Sequence, residues 1–327
     1  MVLVVGGAGY IGSLMVKHLR RRGERVVVFD NFSRGHHAAV GGVEVVEGDL
    51  RRPADVERAF AGRDVECVMH FAALASVGES VKAAALYYDN NVVGCFHLLE
   101  AMRRRGVERL IFSSSAATYG EPREIPITEE HPQEPTNPYG ETKRAVEQML
   151  RWYHVAHGLS SISLRYFNAA GADPEGELGE DHSPEEHLIP NVLLTALGRR
   201  EAVQVHGTDW PTPDGTCVRD YVHIADLCSA HYLALERLRG RPGCEAFNLG
   251  SDRGHSVLEV IAAAERVSGR PVPWRGGPRR PGDPARLVAS SARAREVLGW
   301  SPEHAELETI LRHAWIWLER HPTGYRE

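Results

Sequence analysis

Tyr139 and Lys143 stand four residues apart in NPYGETK, after Pro138 and leading into a helical pattern over 143–157. On a helix that spacing stacks the two side chains on one face. A phenol titrates near pH ~10 in water, so an ammonium beside it favours the phenolate and makes it a usable base. Tyr139 is the expected proton acceptor and Lys143 its electrostatic partner. Ser113, Ser114 and Ser115 end the run FSSS. Any of the three hydroxyls can bridge a substrate oxygen and Tyr139; Ser115, last on its strand, is the preferred one. A YxxxK alone usually marks a solvated helix face, so its weight depends on what accompanies it.

It is accompanied by glycines. Gly6, Gly9 and Gly12 lie in VVGGAGYIGS, after the first strand-like run and at the start of a helix. Missing side chains there let the backbone approach a pyrophosphate, and the helix N-terminus offers unpaired N–H groups to the anion. Asp30 closes VVVFD, 18 positions beyond Gly12. Its carboxylate suits adenosine ribose hydroxyls and repels a 2′-phosphate, which favours NAD over NADP, although nearby Arg34 is able to serve a phosphate. A positive nicotinamide would add to the lysine's effect on Tyr139. Asp49, in GDL, suits the adenine edge or an ordinary turn.

These residues need a scaffold. Short β-branched runs at 2–5, 25–29, 43–47, 66–71, 108–113 and 161–166 read as strands, with helical segments between most of them. That alternation builds βαβ units and predicts an α/β fold: a doubly wound, parallel, Rossmann-type sheet with ligands at the carboxyl ends of its strands. After Asn168 the rhythm changes to loops rich in Gly, Pro, Asp and Glu, with helical stretches at 187–198, 224–238, 256–268 and 306–320. A smaller α/β substrate-binding lobe is expected there. The stretch 225–248 reads as helix then strand and returns to the sheet. The expected division is 1–167 plus about 220–248 for the NAD-binding domain, and 168–219 plus 249–327 for the other.

Composition agrees. At 327 residues the chain is long for one core, and its 43% hydrophobic and 25% charged residues are those of an ordinary globular enzyme. A net charge of −6 without a basic block argues against nucleic acid or an anionic membrane as partner. The lysines are only Lys17, Lys82 and Lys143, which draws attention to each. Cys67, Cys95, Cys217, Cys228 and Cys244 form no CxxC pair, so neither a disulfide framework nor a zinc knuckle is expected, and no metal is assigned. With no apolar stretch approaching ~18 residues, a cytoplasmic location is expected.

With these residues in view, the chain resembles the extended short-chain dehydrogenase/reductase superfamily and, within it, the UDP-glucose 4-epimerases. Beyond GGAGYIGS and the serine, tyrosine and lysine, the likeness includes DNFSRG from Asp30, HFAALASVGES from His70, YYDNNV from Tyr87 and RYFNAAGA from Arg165. It continues through HLIP from His187, PTPDGTCVRDYVH from Pro211, NLGS from Asn248 and RRPGDP from Arg279. The resemblance implies that Phe71 and Ala72 line the nicotinamide path, Asn90 contacts the cofactor and Tyr166 packs near the nicotinamide. It extends the cofactor set to Tyr10, Ile11, Asn31, Leu50, Ala73 and Ser113. Asn168, Leu188, Arg219, Arg280 and Asp283 would hold UDP, joined by His187, Gln204 and His206. Guanidinium groups suit a pyrophosphate, since they make bidentate, charge-assisted hydrogen bonds. Leu287 falls near the hexose, where some members carry a tyrosine; the smaller side chain implies activity on UDP-N-acetylhexosamines too. Ala75 stands where some members have lysine, and His187 where others have asparagine.

The implied reaction is inversion at C4 of a UDP-sugar through a 4-keto sugar, with NAD tightly held, in a homodimer seamed by the helices around 92–105 and 143–157. Rivals are a UDP-uronate epimerase, a decarboxylase, a 4,6-dehydratase and a non-catalytic NAD sensor. A dehydratase needs an acid and a base after the serine strand, where this chain has Ala116 and Ala117. A sensor commonly lacks the tyrosine or lysine that stand here.

Overall fold

A computed structural model describes residues 1–280 and 282–325. In chain order, the first half runs β1 (Val2–Val5), α1 (Tyr10–Arg21), β2 (Val26–Asp30), β3 (Glu44–Glu47), α2 (Pro53–Phe60) and β4 (Cys67–His70). It continues with α3 (Val77–Lys82), α4 (Ala84–Tyr87), α5 (Gly94–Arg105), β5 (Arg109–Ser115), α6 (Pro138–His157) and β6 (Ser160–Tyr166). Next come β7 (Asn168–Ala170), α7 (Leu188–Ala196), β8 (Val203–His206), β9 (Val218–His223), α8 (Ile224–Gly240) and β10 (Cys244–Leu249). The last part holds β11 (Gly254–Ser256), α9 (Val257–Ser268), β12 (Trp274–Gly277), β13 (Arg286–Leu287), α10 (Ala292–Leu298) and α11 (Leu307–Arg320).

Seven strands form one parallel sheet in the order β3-β2-β1-β4-β5-β6-β10. Its strands β1, β2 and β4 are largely apolar on both faces because both faces are covered. Val2 and Val4 of β1 turn to one side, among Met15 and Leu19 of α1 and Leu227 and Leu235 of α8. Leu3 and Val5 turn to the other, among Leu98 and Met102 of α5 and Val146 and Leu150 of α6. Burying each Leu or Val contributes about 1.5–3 kcal/mol, so this period-two division ties helices to both sides of the sheet. Strand order reverses between β1 and β4, and a crevice opens at their carboxyl ends.

The expected return to the large sheet is made by α8 and β10. The strand before them, β9, belongs elsewhere: it pairs with β7, β11 and β13 in a smaller sheet. A third, two-stranded sheet joins β8 and β12. Around these, Val192 and Leu193 of α7, Val260 and Ile261 of α9, and Ile310 and Leu311 of α11 make a separate core. A hydrogen bond from the Tyr10 hydroxyl to the Gly171 carbonyl, 2.6 Å, spans the two cores. Among the described residues no helix is long and apolar enough to cross a membrane.

Candidate active site

The chain turns from β1 into α1 on Gly6, whose φ is +79°. A Cβ on Gly6 would stand 2.4 Å from the Ala72 backbone nitrogen, and one on Gly12 would stand 2.1 Å from the Gly6 carbonyl oxygen. Those two glycines serve close packing of strand, helix and the 71–75 loop. Gly9 differs: a Cβ there would meet only the Gly6 oxygen, at 3.5 Å, and its bare surface faces the cleft. Gly9 is the N-cap of α1, no side chain caps it, and the first turn carries no acidic residue. The helix thus offers uncovered N–H groups and partial positive charge to an anion. Asp30 ends β2 with one carboxylate oxygen accepting from the Ala8 amide and the other from the Phe32 amide, both at 2.9 Å. Burial pushes its pKa up, and those backbone bonds hold it down in part. These features fit a dinucleotide whose pyrophosphate lies on Gly9 and whose ribose meets Asp30.

The cleft, about 1180 Å³, runs from this loop to the smaller lobe. Of the residues given a catalytic, cofactor or substrate role from the sequence, all but one line it. Tyr10, Ile11 and Gly12 form the first turn of α1; Asn31 follows β2, Leu50 follows β3, and Phe71, Ala72 and Ala73 follow β4. Asn90 is displayed by a π-helical turn, Tyr88–Val93, just before α5, an irregularity common at functional sites. Asn168, His187, Leu188, Gln204, His206, Arg219, Arg280, Asp283 and Leu287 come from the other side. The exception is Asp49. Its carboxylate is engaged by Arg51 at 2.6 Å, which holds its pKa down at about 2, and by the side-chain amide of the cleft residue Asn31 at 3.3 Å.

At the centre, α6 starts earlier than the apolar pattern suggests. Asn137 caps it, accepting from the Gly140 amide at 2.9 Å, and Pro138 takes the first helical position. Tyr139 therefore lies in the first turn, one turn before Lys143. The Lys143 ammonium sits 5.8 Å from the centre of the Tyr139 ring and donates to the Ser113 carbonyl at 2.8 Å. Burial, leaving Lys143 only 4% exposed, pulls its pKa down to about 8. Burial pushes the Tyr139 phenol up, and a hydrogen bond with Ser115 counters it. Of the three serines, then, Ser115 is the one whose hydroxyl faces the Tyr139 phenol. Ser113 instead meets the Tyr166 hydroxyl at 2.5 Å, and Ser114 meets Glu147 at 2.5 Å.

Glu147 was missed by sequence reasoning, though it stands four residues after Lys143 on the same helical face. It pairs with Arg165 at 2.6 Å, both side chains 8% exposed, and so bolts α6 to β6 beneath the phenol. Arg165 also donates to the Tyr119 hydroxyl at 2.8 Å, which donates to Asn248 at 2.6 Å. Asn91, also missed, accepts from the Leu74 amide and donates to the Leu74 carbonyl and to Thr142 of α6, fixing the 71–75 loop against the catalytic helix. A third omission is His231. Its Nδ1 faces the Leu227 carbonyl at 2.8 Å, and its Nε2 lies 2.9 Å from the Tyr166 hydroxyl.

On the other lobe, Arg219 donates to the Pro284 carbonyl at 2.9 Å and stands 3.7 Å from Asp283. Arg280 is exposed at the cleft rim. Leu287 packs with Ala116, Tyr119 and Ile127 beside the serine strand. His187 lines the cleft, but its Nδ1 is turned onto Glu180, 2.5 Å, and Glu185, 3.2 Å.

Residues 2–250 match the model of the NAD dependent epimerase/dehydratase family. A UDP-glucose 4-epimerase of Halalkalibacterium halodurans is 52% identical over 324 residues, covering 99% of this chain and 97% of its own. A crystal structure of a UDP-glucose 4-epimerase superposes with a TM-score of 0.97 at 50% identity, covering 100% of this chain and 99% of the other. That of Bifidobacterium longum, in complex with NAD+ and UDP, gives 0.95 at 41% identity over 99% of each chain.

Proposed function

The chain belongs to the NAD dependent epimerase/dehydratase family, and on that premise we propose that it interconverts UDP-glucose and UDP-galactose by inverting C4 of the hexose. It is an NAD-dependent isomerase. The observation that carries the reading is the placing of Tyr139 beside Ser115, one turn before a buried Lys143, within a cleft continuous from the glycine loop to Arg219.

Bound NAD supplies the reversible two-electron acceptor for the carbon that is inverted. The protein supplies position and charge. Tyr139 takes the proton of the sugar 4-hydroxyl, Ser115 holds the same oxygen, and the Lys143 ammonium favours the phenolate. Gly6, Gly9, Tyr10, Ile11, Gly12, Asp30, Asn31 and Leu50 hold the adenosine and pyrophosphate. Phe71, Ala72, Ala73, Asn90, Ser113 and Tyr166 hold the other end. UDP is gripped by Arg219, Arg280 and Asp283, with Asn168, Leu188, Gln204 and His206. The hexose is held loosely, so the 4-keto sugar turns about its pyrophosphate tether and offers its other face.

The lobe 168–219 plus 249–327 is the nucleotide-sugar-binding part. The chain works as a homodimer in the cytoplasm. Supporting the dimer, Val93 and Phe96 near α5 and Trp152 and Val155 on α6 are all exposed, with Trp152 71% and Val155 74% accessible, an apolar seam of the kind that marks an interface. Incubation with UDP-glucose and with UDP-galactose, without added cofactor, should give the same mixture of the two. Absence of conversion, or a deoxy product, would overturn the reading. Leu287 at the hexose end supports a second activity on UDP-N-acetylglucosamine.

A further inference from the structure

Between the glycine loop and α7, the segment 180–187 gathers four side chains that the epimerase reading leaves unused in this form. One ligand atom each from Glu180, His182, Glu185 and His187 lies within 4.8 Å of all the others. The contacts are 2.5 Å from Glu180 to His187, 3.1 Å from Glu180 to His182, 3.2 Å from Glu185 to His187 and 3.9 Å from Glu185 to His182. Both histidines point the same ring nitrogen, Nδ1, inward. A tetrahedral ion with metal–ligand bonds of about 2.0–2.2 Å has ligand–ligand edges of about 3.4 Å; both Glu180 contacts use one oxygen, the two Glu185 contacts use one oxygen each of its pair, and the four lengths bracket that value.

Charge points the same way. Both carboxylates are 7% exposed, and neither pairs with a lysine or arginine among the described residues. A metal takes imidazole in its neutral form, and with both rings so engaged a divalent cation offsets the charge of the two carboxylates. Helix chemistry adds an independent sign. His187 is the N-cap of α7, a poor cap residue, and its side chain makes no cap bond because the ring is turned into this cluster.

We infer that Glu180, His182, Glu185 and His187 form a zinc(II) site, tetrahedral with two nitrogen and two oxygen ligands. Four protein ligands leave no open position, so the ion is structural. Its place gives it a task. The same segment receives Ser76 on Glu186 at 2.6 Å and Arg34 on the Ser183 carbonyl at 3.1 Å, and Trp317 of α11 donates to the Glu180 carbonyl at 3.2 Å. Zinc there staples the cofactor lobe to the start of α7, one residue before Leu188. His187 thereby acquires a role other than the UDP contact that the resemblance implies.

The test uses the NAD-loaded chain. After incubation with zinc chloride and gel filtration, elemental analysis should find about one zinc per chain, and a chelator should lower the melting temperature. Cobalt(II) exchanged for zinc should give the intense visible bands of tetrahedral coordination. His182→Ala should lose the metal, while His182→Cys, which restores a zinc ligand, should regain it; retained NAD in each reports that the variant folds. Zinc below about a tenth of an equivalent with no cobalt bands would overturn the inference and leave a histidine–glutamate ion-pair network. So would zinc retained equally by His182→Ala.

Discussion

Lys143→Met should make the protein both slower and more stable, and the size of each change follows from where the ammonium lies. At about 6 Å and an effective dielectric of about 20, one positive charge stabilises a phenolate by ~3 kcal/mol, or roughly two pH units on Tyr139. Removing it should cut kcat about 100-fold near neutral pH. Stability moves the other way because burial opposes the charged amine. The fall of its pKa from 10.5 to about 8 corresponds to ~3 kcal/mol of strain carried by the folded state when the lysine is protonated. Losing the bond to the Ser113 carbonyl returns ~1 kcal/mol of that. The sign is fixed by proton counting: between pH 8 and 10.5 the unfolded chain binds the proton and the folded chain has released it, so wild-type stability rises with pH. The variant's advantage, ~2 kcal/mol or roughly 3 °C for a chain of this length, should therefore be full below pH 8 and vanish towards 10.5. Thermal unfolding of both proteins across that range, at saturating NAD, together with progress curves on UDP-glucose, reads both effects. A gap in melting temperature that is negative, or positive but unchanged with pH, would refute the reasoning.

Tyr139→Phe should lower kcat by about 10²–10⁴-fold with NAD content and UDP affinity kept; comparable turnover would remove the phenol from the proposed role. Glu147→Gln strands the buried Arg165 charge and should destabilise the fold by about 3–5 kcal/mol, read from the denaturant midpoint. The double variant Glu147→Leu/Arg165→Met should recover most of that loss. Leu287→Tyr should suppress conversion of UDP-N-acetylglucosamine while sparing UDP-glucose, and equal losses on both would count against the pocket assignment. Trp152→Glu should shift sedimentation to a monomer, whereas an unchanged profile would place the seam elsewhere.

Local chemistry was the legible part of this chain. Gly6, Gly9 and Gly12 work through backbone geometry within one turn, and Tyr139 with Lys143 through helical spacing, so both could be read without the fold. Alternation of helices and strands likewise implied the parallel sheet, since both faces of Val2–Val5 are apolar. The start of α6 was obscured because its first turn, PYGE, breaks the apolar period, although Asn137 and Pro138 carried the signal. Side-chain direction was not legible: nothing in GDLRR says that the Asp49 carboxylate folds back onto Arg51. Pairings across the fold were hidden too. Arg165 finds Glu147 only because β6 lies beside β5, and β9 reads like a strand of the main sheet until its partners are known. The cluster at 180–187 escaped notice because a stretch full of Gly, Pro and Glu resembles plain loop.

Helix α6 is a continuous run of 20 residues, about 30 Å from end to end. Its first turn bears the phenol, and Trp152 and Val155 crop out some four turns later with no proline between and no glycine beyond Gly140 in that first turn. Such a beam has no joint in which to absorb a push. Clamping its outer half against a second copy would damp the tilt of the inner end, so subunit contact and the aim of a single oxygen atom become one mechanical problem.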